Sequence, residues 1–484
     1  MMMSQKSIRK TAALSVALCA FGMAVLSACT VGPDYVRPSA ETTSGYKELD
    51  GWKVAQPNDN TLRGPWWELF NEPDLNALES QVDVSNQTIA QAEAVYREAV
   101  ALVQQARAAY FPTITVGLAI PNSSASTTVR NGSNTRTNTT RYTLPVDVSW
   151  EIDVWGRIRR QVESASTTAQ ASAADLATAK LAIQTELAQD YFQLRALDAQ
   201  KKLLDETAVD FQKSLELTEN QYAAGIVSRA DVLQAQTQLK STQSQAIDVE
   251  VQRAQLEHAI AVLVGKPPAE ITVVTMALNG EPPAIPVGLP SELLERRPDI
   301  ASAERLVAAA NAQIGVAEGA YFPTVTLSST GGFDTTSFSK LFSLPSRFWA
   351  VGPTITQTVF DGGLRAGQTA QARAVYDANV ATYRQTVLTG FQQVEDNVAA
   401  LRILESEARV QDEAVKAAQQ TVAVLTNQYK AGIINYLAVI VAQTSALANE
   451  RAAIAIMGNR FNAAVLLIKA LGGGWDASQL PASP

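Results

Sequence analysis

The 484-residue chain holds one histidine and two cysteines, which leaves little material for catalysis. Cys19 lies inside an apolar N-terminal run and Cys29 at its end, so cleavage of that leader leaves no cysteine pair for an intrachain disulfide. A histidine-dependent triad or a zinc cluster would have to use His258. That residue stands in an Ala- and Gln-rich run with no nucleophile motif beside it, the setting of a helix-surface or packing histidine. Basic residues are in deficit, 39 against 47 acidic ones, and the net charge of −8 argues against nucleic acid as a partner. Proline is absent from Trp155 to about Ala224 and again from Gly363 to about Ala431. With nothing to break it, each stretch reads as one helix approaching ~100 Å in length.

Lys6, Arg9 and Lys10 precede an apolar run from Thr11 to Leu26, the anatomy of a secretory signal. The run has 16 residues, short of the ~20 that a spanning helix needs. Leu26-Ser27-Ala28-Cys29 resembles the lipobox of bacterial lipoproteins, which makes residues 1–28 a signal peptide and Cys29 the lipidated first residue of the mature chain. The alternative is ordinary cleavage at a small-residue site with Cys29 incidental. Thr30, where an Asp would favour retention, implies by the same resemblance sorting to the outer membrane. Each buried methylene of an acyl chain contributes ~0.8 kcal/mol to anchoring. Loss of the leader removes three basic residues and no acid, leaving 36 against 47 and a net charge of −11.

What the chain does have is a duplication. AYFPT at Ala109–Thr113 recurs at Ala320–Thr324, Pro145 matches Pro353, Asp153 and Arg157 match Asp361 and Arg365, and QYAAGI at Gln221 matches QYKAGI at Gln428. The offset drifts only from 211 to 208 to 207, so one architecture is built twice. Each copy opens with a helix, the first from about Glu72 to Ala109. Pro112 then starts an alternating stretch in which Val116, Leu118 and Ile120 are apolar. A polar loop from Ser123 to Arg141 leads to the clearest pattern, Leu144, Val146, Val148, Trp150, Ile152 and Val154 alternating with polar residues or Pro145. The second pair of strands is expected at Thr324 to about Thr330 and at Phe348 to Phe360, with Trp349, Val351, Ile355 and Val359 on one face. One apolar face, a length of about ten residues and aromatic ends at Tyr142, Trp150, Trp155, Phe348, Trp349 and Phe360 match transmembrane barrel strands.

Four strands cannot close a barrel, since the smallest have about eight. Two chains would give a barrel filled by its own side chains; three would leave a pore. Pro145 and Pro353 fall inside the strand patterns, and their matched positions suggest a shared bend or bulge. The long helices carry many Ala, Gln and Thr residues and are too polar to span lipid. They end at QYxAGI, where Gly225 and Gly432 can form left-handed caps, and second helices return from about Arg229 to Val264 and from Tyr436 to Leu471. A proline-rich joint from Gly265 to Pro290, around a strand-like Ile271 to Val274, separates the copies.

CTVGPDYVRP from Cys29, WWELFNEPDLNALE from Trp66, LPSELLERRPDIASAE from Leu289, the AYFPT pair and the QYxAGI pair resemble the outer-membrane efflux protein family, in its lipoprotein branch serving resistance-nodulation-division pumps. The resemblance covers nearly the whole chain. It implies a mainly α fold with a membrane β-barrel part, in which internally duplicated antiparallel helical hairpins and four strands per chain close as a homotrimer. The product would be a twelve-stranded β-barrel on a twelve-helix α-barrel, with an equatorial belt. The divisions are then residues 29–71, lipidated N-terminal segment and equatorial part; 72–264, first repeat with strands at about 113–154; 265–290, equatorial joint; 291–471, second repeat with strands at about 324–360; and 472–484, tail.

The implied function is a non-enzymatic exit duct that takes drugs or other toxic small molecules from an inner-membrane pump and a periplasmic adaptor. No cofactor is implied beyond the lipid on Cys29. Gly225, Ile226, Ser228, Arg229, Gly432, Ile433 and Asn435 occupy the tips that meet the adaptor in the family, although helix capping alone would also explain the glycines. Many relatives close the lower mouth with aspartates six and nine residues after the second tip glycine; here those positions are Ala438 and Val441. Leu437 and Val441 are therefore candidates for an apolar constriction. Asp231 is the remaining acidic candidate, or else a first-turn carboxylate favoured by the helix dipole. Two other readings are a duct for an ATP-driven protein or metal exporter and a pore-less structural lipoprotein of the periplasm.

Overall fold

The computed structural model describes residues 30–40, 42–43, 45–48, 64–124, 138–285 and 293–482; Cys29 and the signal peptide lie outside them. The helices are α1 (Pro73–Ser85), α2 (Gln87–Ala108), α3 (Arg157–Ala223), α4 (Arg229–Leu263), α5 (Leu293–Arg296), α6 (Pro298–Gly319), α7 (Leu364–Lys430) and α8 (Tyr436–Ala470). The strands are β1 (Thr113–Val116), β2 (Asn122–Ser124), β3 (Asn138–Thr140), β4 (Tyr142–Glu151), β5 (Thr324–Thr335) and β6 (Arg347–Thr356). Strands β1, β4, β5 and β6 form one antiparallel sheet in that order, open at both edges. The long helices α3 and α7, 67 residues each, run ~100 Å away from it.

The single helix expected over 72–109 is two helices. Asn86 breaks it: its Oδ1 accepts from the main-chain N–H groups of Thr88 and Ile89 to cap α2, while its Nδ2 donates 2.7 Å to the Leu263 carbonyl at the end of α4. Ser85 Oγ donates to the next carbonyl, Val264, at 2.5 Å. One residue thus caps two helices, and α4 abuts α2 to make a composite column along α3. The second repeat makes the same junction with different chemistry. Arg297 donates 2.9 Å to the Ala470 carbonyl at the end of α8, and Asp299 and Gln393 hold its guanidinium in place. The RRPD signature is therefore a helix-end cap joining α8 to α6. At both junctions the chain leaves the ending helix through a left-handed glycine, Gly265 (φ +75) and Gly472 (φ +94).

Several strand ends differ from expectation. β1 stops at Val116, with only an isolated bridge from Ala119 to Thr143 beyond it. The polar loop contains the short pair β2 and β3. β5 continues to Thr335 through Gly331 and Gly332, whereas β6 ends at Thr356, so Val359 and Phe360 follow the strand rather than belong to it. No bulge occurs at either proline, because the missing N–H of each points away from the ladders with β5. The Pro145 carbonyl accepts from Gly117 N, which turns the ring nitrogen toward the frayed end of β1. Ile152 N bonds Val325 O, so alternate residues of β5, including Leu327, face β4; Pro353, opposite Leu327, then points its nitrogen at the open edge of the sheet.

Residues 271–274 form no strand. They are part of an extended strap bound to α3 and α4 by charged side chains: Glu257 accepts from Val273 N at 2.7 Å, Arg253 donates to Val273 O at 2.7 Å, and buried Asp198 accepts from Met276 N at 3.0 Å. The main core lies at mid-length, where Phe70 of the WWELF turn packs against Phe192 of α3 and Phe461 of α8, at centroid distances of 4.8 and 6.2 Å, and those two rings touch each other at 4.8 Å. Helix α8, unlike the long helices α3 and α7, is apolar enough by length and composition to cross a membrane. Packing explains its composition: Phe461, Val465, Leu467 and Ile468 are buried in this core.

Two predictions follow from the junctions and the core. A Cβ on Gly265 would lie 2.1 Å from the Ser85 carbonyl oxygen, whereas one on Gly225 meets nothing within 4 Å and carries only the positive-φ strain of ~1 kcal/mol. Gly265→Ala is expected to lower the melting temperature of the detergent-extracted protein well below that of Gly225→Ala. Equal melting would contradict the junction. Glu79 of α1 is fully buried, neither carboxylate oxygen has a partner, and burial, aided by Asp83, pushes its pKa up to about 9. Neutral when folded and ionised when unfolded, this group makes stability fall as pH rises from the unfolded value toward about 9. Glu79→Gln is expected to raise the melting temperature more at pH 8 than at pH 5, as read by scanning fluorimetry; the same shift at both pH values would refute this ionisation.

Candidate functional site

Functional geometry is concentrated at the two ends of the molecule. In the sheet, register brings residues of one character into rows. One face carries Ile114, Val148, Ser329 and Val351 side by side, then Val116, Val146, Gly331 and Trp349, then Trp150, Leu327 and Pro353. The other carries Thr113, Ser149, Ser328 and Gly352, then Thr115, Asp147, Thr330 and Ala350. Ile114, Val116, Trp349, Val351 and Ile355 are all exposed, a contiguous apolar surface that a water-soluble sheet would bury. A greasy face backed by a hydroxyl-lined face is the cross-section of a membrane barrel wall around a wet lumen.

Aromatic side chains mark the lower rim of this wall. Trp155 stacks on Phe322 at 5.0 Å and donates 2.8 Å to the Pro323 carbonyl; Trp150 donates 2.9 Å to the Tyr110 carbonyl. The two AYFP motifs thus supply a girdle at the foot of the strands. Below it the strands turn into the long helices through matched corners. The Asp153 carboxylate accepts from the N–H groups of Ile158 and Arg159, and Asp361 accepts from those of Gly363 and Arg365. This accounts for the recurring Asp; the matched arginines pair with different carboxylates in the two repeats. Arg157 pairs with Glu151 at 2.8 Å, and Arg365 pairs with Asp361 at 2.5 Å.

At the far end both QYxAGI segments form the same cap. Gly225 N bonds the Tyr222 carbonyl and Ile226 N the Gln221 carbonyl; Gly432 N bonds the Tyr429 carbonyl and Ile433 N the Gln428 carbonyl, with φ +71 and +72 at the glycines. The glycines are accounted for by this Schellman geometry. The isoleucines are not: Ile226 and Ile433 remain 69% and 72% exposed at the outermost turns. Ser228 and Asn435 cap the returning helices, Ser228 in a capping box with Asp231, whose Oδ2 accepts from Ser228 N at 2.9 Å and from Ser228 Oγ at 2.7 Å. Asp231 therefore spends its carboxylate on the cap. Arg229, the first residue of α4, is exposed.

Leu437 and Val441, one turn apart on α8, are exposed on the side away from Tyr436 and Val439. Those two residues bury against Phe211, Leu215 and Tyr429, tying the second hairpin to the first. Burial pushes the Tyr436 hydroxyl up to about 12, so it stays a neutral hydrogen-bonding group across the physiological range. Sequence reading missed the Tyr429–Tyr436 contact, with ring centroids 5.2 Å apart, because the first repeat has Tyr222 and Arg229 in the matching places.

Residues 78–266 and 289–473 match the outer membrane efflux protein family, more than half of the chain and both repeats. The chain belongs to the outer membrane efflux protein family. It is 30% identical over 468 residues to the toluene efflux pump outer membrane protein TtgC of Pseudomonas putida, covering 96% of this chain and 95% of that protein. The pyoverdine export outer membrane protein OpmQ of Pseudomonas aeruginosa is 28% identical, with 94% and 98% covered. Among solved structures, the outer-membrane channel OprN superposes with a TM-score of 0.86 at 31% identity, over 92% of this chain and all of that one. VceC of Vibrio cholerae does so with a TM-score of 0.79 at 28% identity, over 87% of this chain and all of that one. The protein is an outer-membrane efflux channel, so its functional site is a wall and a mouth rather than a pocket.

The two faces of β4 are directly testable. Val148→Asp places a charge in the apolar row and is expected to reduce assembled protein in the outer membrane, at a cost of up to a few kcal/mol. Ser149→Asp lies in the hydroxyl row and is expected to assemble normally. Equal assembly of the two variants, judged by membrane fractionation, would overturn the assignment of faces.

Proposed function

We propose that three copies of this chain close edge to edge, β6 of one against β1 of the next, into the lipid-anchored exit duct of a tripartite pump. A periplasmic adaptor and an inner-membrane transporter of the resistance-nodulation-division class feed it. The observation that carries this reading is the open four-stranded sheet with one lipid-type and one water-type face, continuous with two ~100 Å helical hairpins. Relatives named for toluene efflux and pyoverdine export argue for small toxic or exported molecules as cargo. The duct itself performs no reaction.

An acyl anchor on Cys29 fits the course of the residues after it. Val31 N bonds the Trp155 carbonyl at 3.1 Å, and Thr30 packs on Gly156, so the chain starts at the foot of the barrel strands. From there Arg160 pairs with Asp34 at 2.9 Å, Asn311 donates to the Pro33 carbonyl at 2.9 Å, and Glu395 accepts from Lys47 N and Glu48 N further down α7. The N-terminal segment straps both repeats from membrane level to mid-length. A lipid one residue before Thr30 would enter the periplasmic leaflet beside Trp155 and Phe322.

At the lower mouth, exposed Ile226 and Ile433 supply apolar contacts for the adaptor, with Ser228, Arg229 and Asn435 beside them. Leu437 and Val441 face the closing axis as an apolar constriction in place of an acidic ring. Photoreactive residues at Ser228 and Asn435 in living cells are expected to capture a resistance-nodulation-division adaptor, identified by mass spectrometry. Capture of a protein-secretion adaptor, or of no envelope partner, would refute this assignment of the tips.

A further inference from the structure

The connection between β5 and β6, residues 336–346, lies at the end of the sheet away from the helices. It is compact and fixed. Ser343 and Ser346 both donate from Oγ to the Lys340 carbonyl, at 2.7 and 2.9 Å, and Leu341 is buried beneath the turn. Yet Phe338, Phe342 and Leu344 are 66%, 72% and 78% exposed. Their direction is given by what they touch. Phe342 packs edge-on against Phe333 at 5.4 Å and Phe338 against Tyr142 at 5.5 Å. Phe333 lies opposite Leu144 and Arg347, and Tyr142 is in phase with Leu144, Val146 and Val148, so both anchors stand on the apolar face of the sheet. The loop folds outward over the lipid side.

Charge is divided between the two faces in the same region. On the hydroxyl face Asp334 is bound by Arg141 and Thr143. On the apolar face Arg347 stands beside the exposed Trp349 row, and Lys340 lies between the two exposed phenylalanines in sequence. Among the described residues neither has an ion-pair partner, and the rows of that face contain no carboxylate. The twelve residues of β5 rise ~30 Å at barrel tilt, against an apolar band ~25 Å tall, so the loop sits at the outer headgroup level.

We propose that this loop is a lipid-binding foot in the outer leaflet, with Phe338, Phe342 and Leu344 among acyl chains and Lys340 and Arg347 on headgroup phosphates. The occupant is an acylated, phosphorylated saccharide lipid of the lipid A type, since unpaired cations beside an apolar patch match its anionic head and its chains. The proposal rests on the barrel reading, which heat resistance of the extracted assembly checks separately.

The test purifies wild type, Lys340→Glu/Arg347→Glu and Phe338→Ser/Phe342→Ser from outer membranes, and measures retained lipid A per chain by mass spectrometry of the lipid extract. Addition of lipid A or phosphatidylcholine vesicles to the delipidated assembly follows. Wild type is expected to retain lipid A and to gain thermal stability from lipid A alone, while both variants lose several-fold of the retained lipid and the thermal gain, with assembly and basal conductance unchanged. Equal lipid A in all three proteins, or equal stabilisation by phosphatidylcholine, would overturn the proposal. So would a rise in conductance in the Phe variant, which would mean that the loop covers the pore.

Discussion

In hydrocarbon, a backbone N–H or C=O without a partner costs several kcal/mol, and there is no water to supply one. Every other feature of this molecule is arranged around that constraint. The chain sends four strands into the membrane and leaves β1 and β6 as unpaired edges, so a single copy cannot satisfy its own backbone. Closure with further copies is the solution available to an antiparallel sheet in lipid. The prolines obey the same rule: Pro145 and Pro353 aim their missing donors away from β5, where the ladder is complete.

The remainder of the structure extends away from that sheet as long helices. Columns as long as α3 and α7 are matched by shorter helices stacked end to end, and each junction needs a cap on the helix that ends there. Asn86 caps both helix ends with a neutral amide, whereas Arg297 caps the end of α8 with a guanidinium steadied by Asp299, each next to a left-handed glycine that lets main chain approach main chain. The aromatic plug of Phe70, Phe192 and Phe461 fastens the two repeats to each other at mid-length, and Tyr429 with Tyr436 fastens them again near the tips.

How much of this was legible in the sequence depended on whether the governing period was local. The Leu144–Val154 alternation assigned both faces of β4, because side chains in a strand alternate whatever their partners. The tip helices were placed to within a residue, because Gly225 and Gly432 are required by a left-handed cap. The break at Asn86 was missed since no proline or glycine marks it; an asparagine two residues before Thr88 was the available sign, and its second partner, Leu263, is 177 residues away. Likewise RRPD was recognisable as a signature but not as a cap, because Ala470 is distant in sequence. The ends of β5 and β6 were misjudged because pairing with the neighbouring strand, not composition, decides where a ladder stops.

Native mass spectrometry of the assembly released from outer membranes decides whether three chains, each carrying an acyl group, make one duct. The expected result is a single species containing three mature chains, each beginning at Cys29 with added acyl mass. A monomer, or a dimer whose eight strands would fill their own interior, would contradict it.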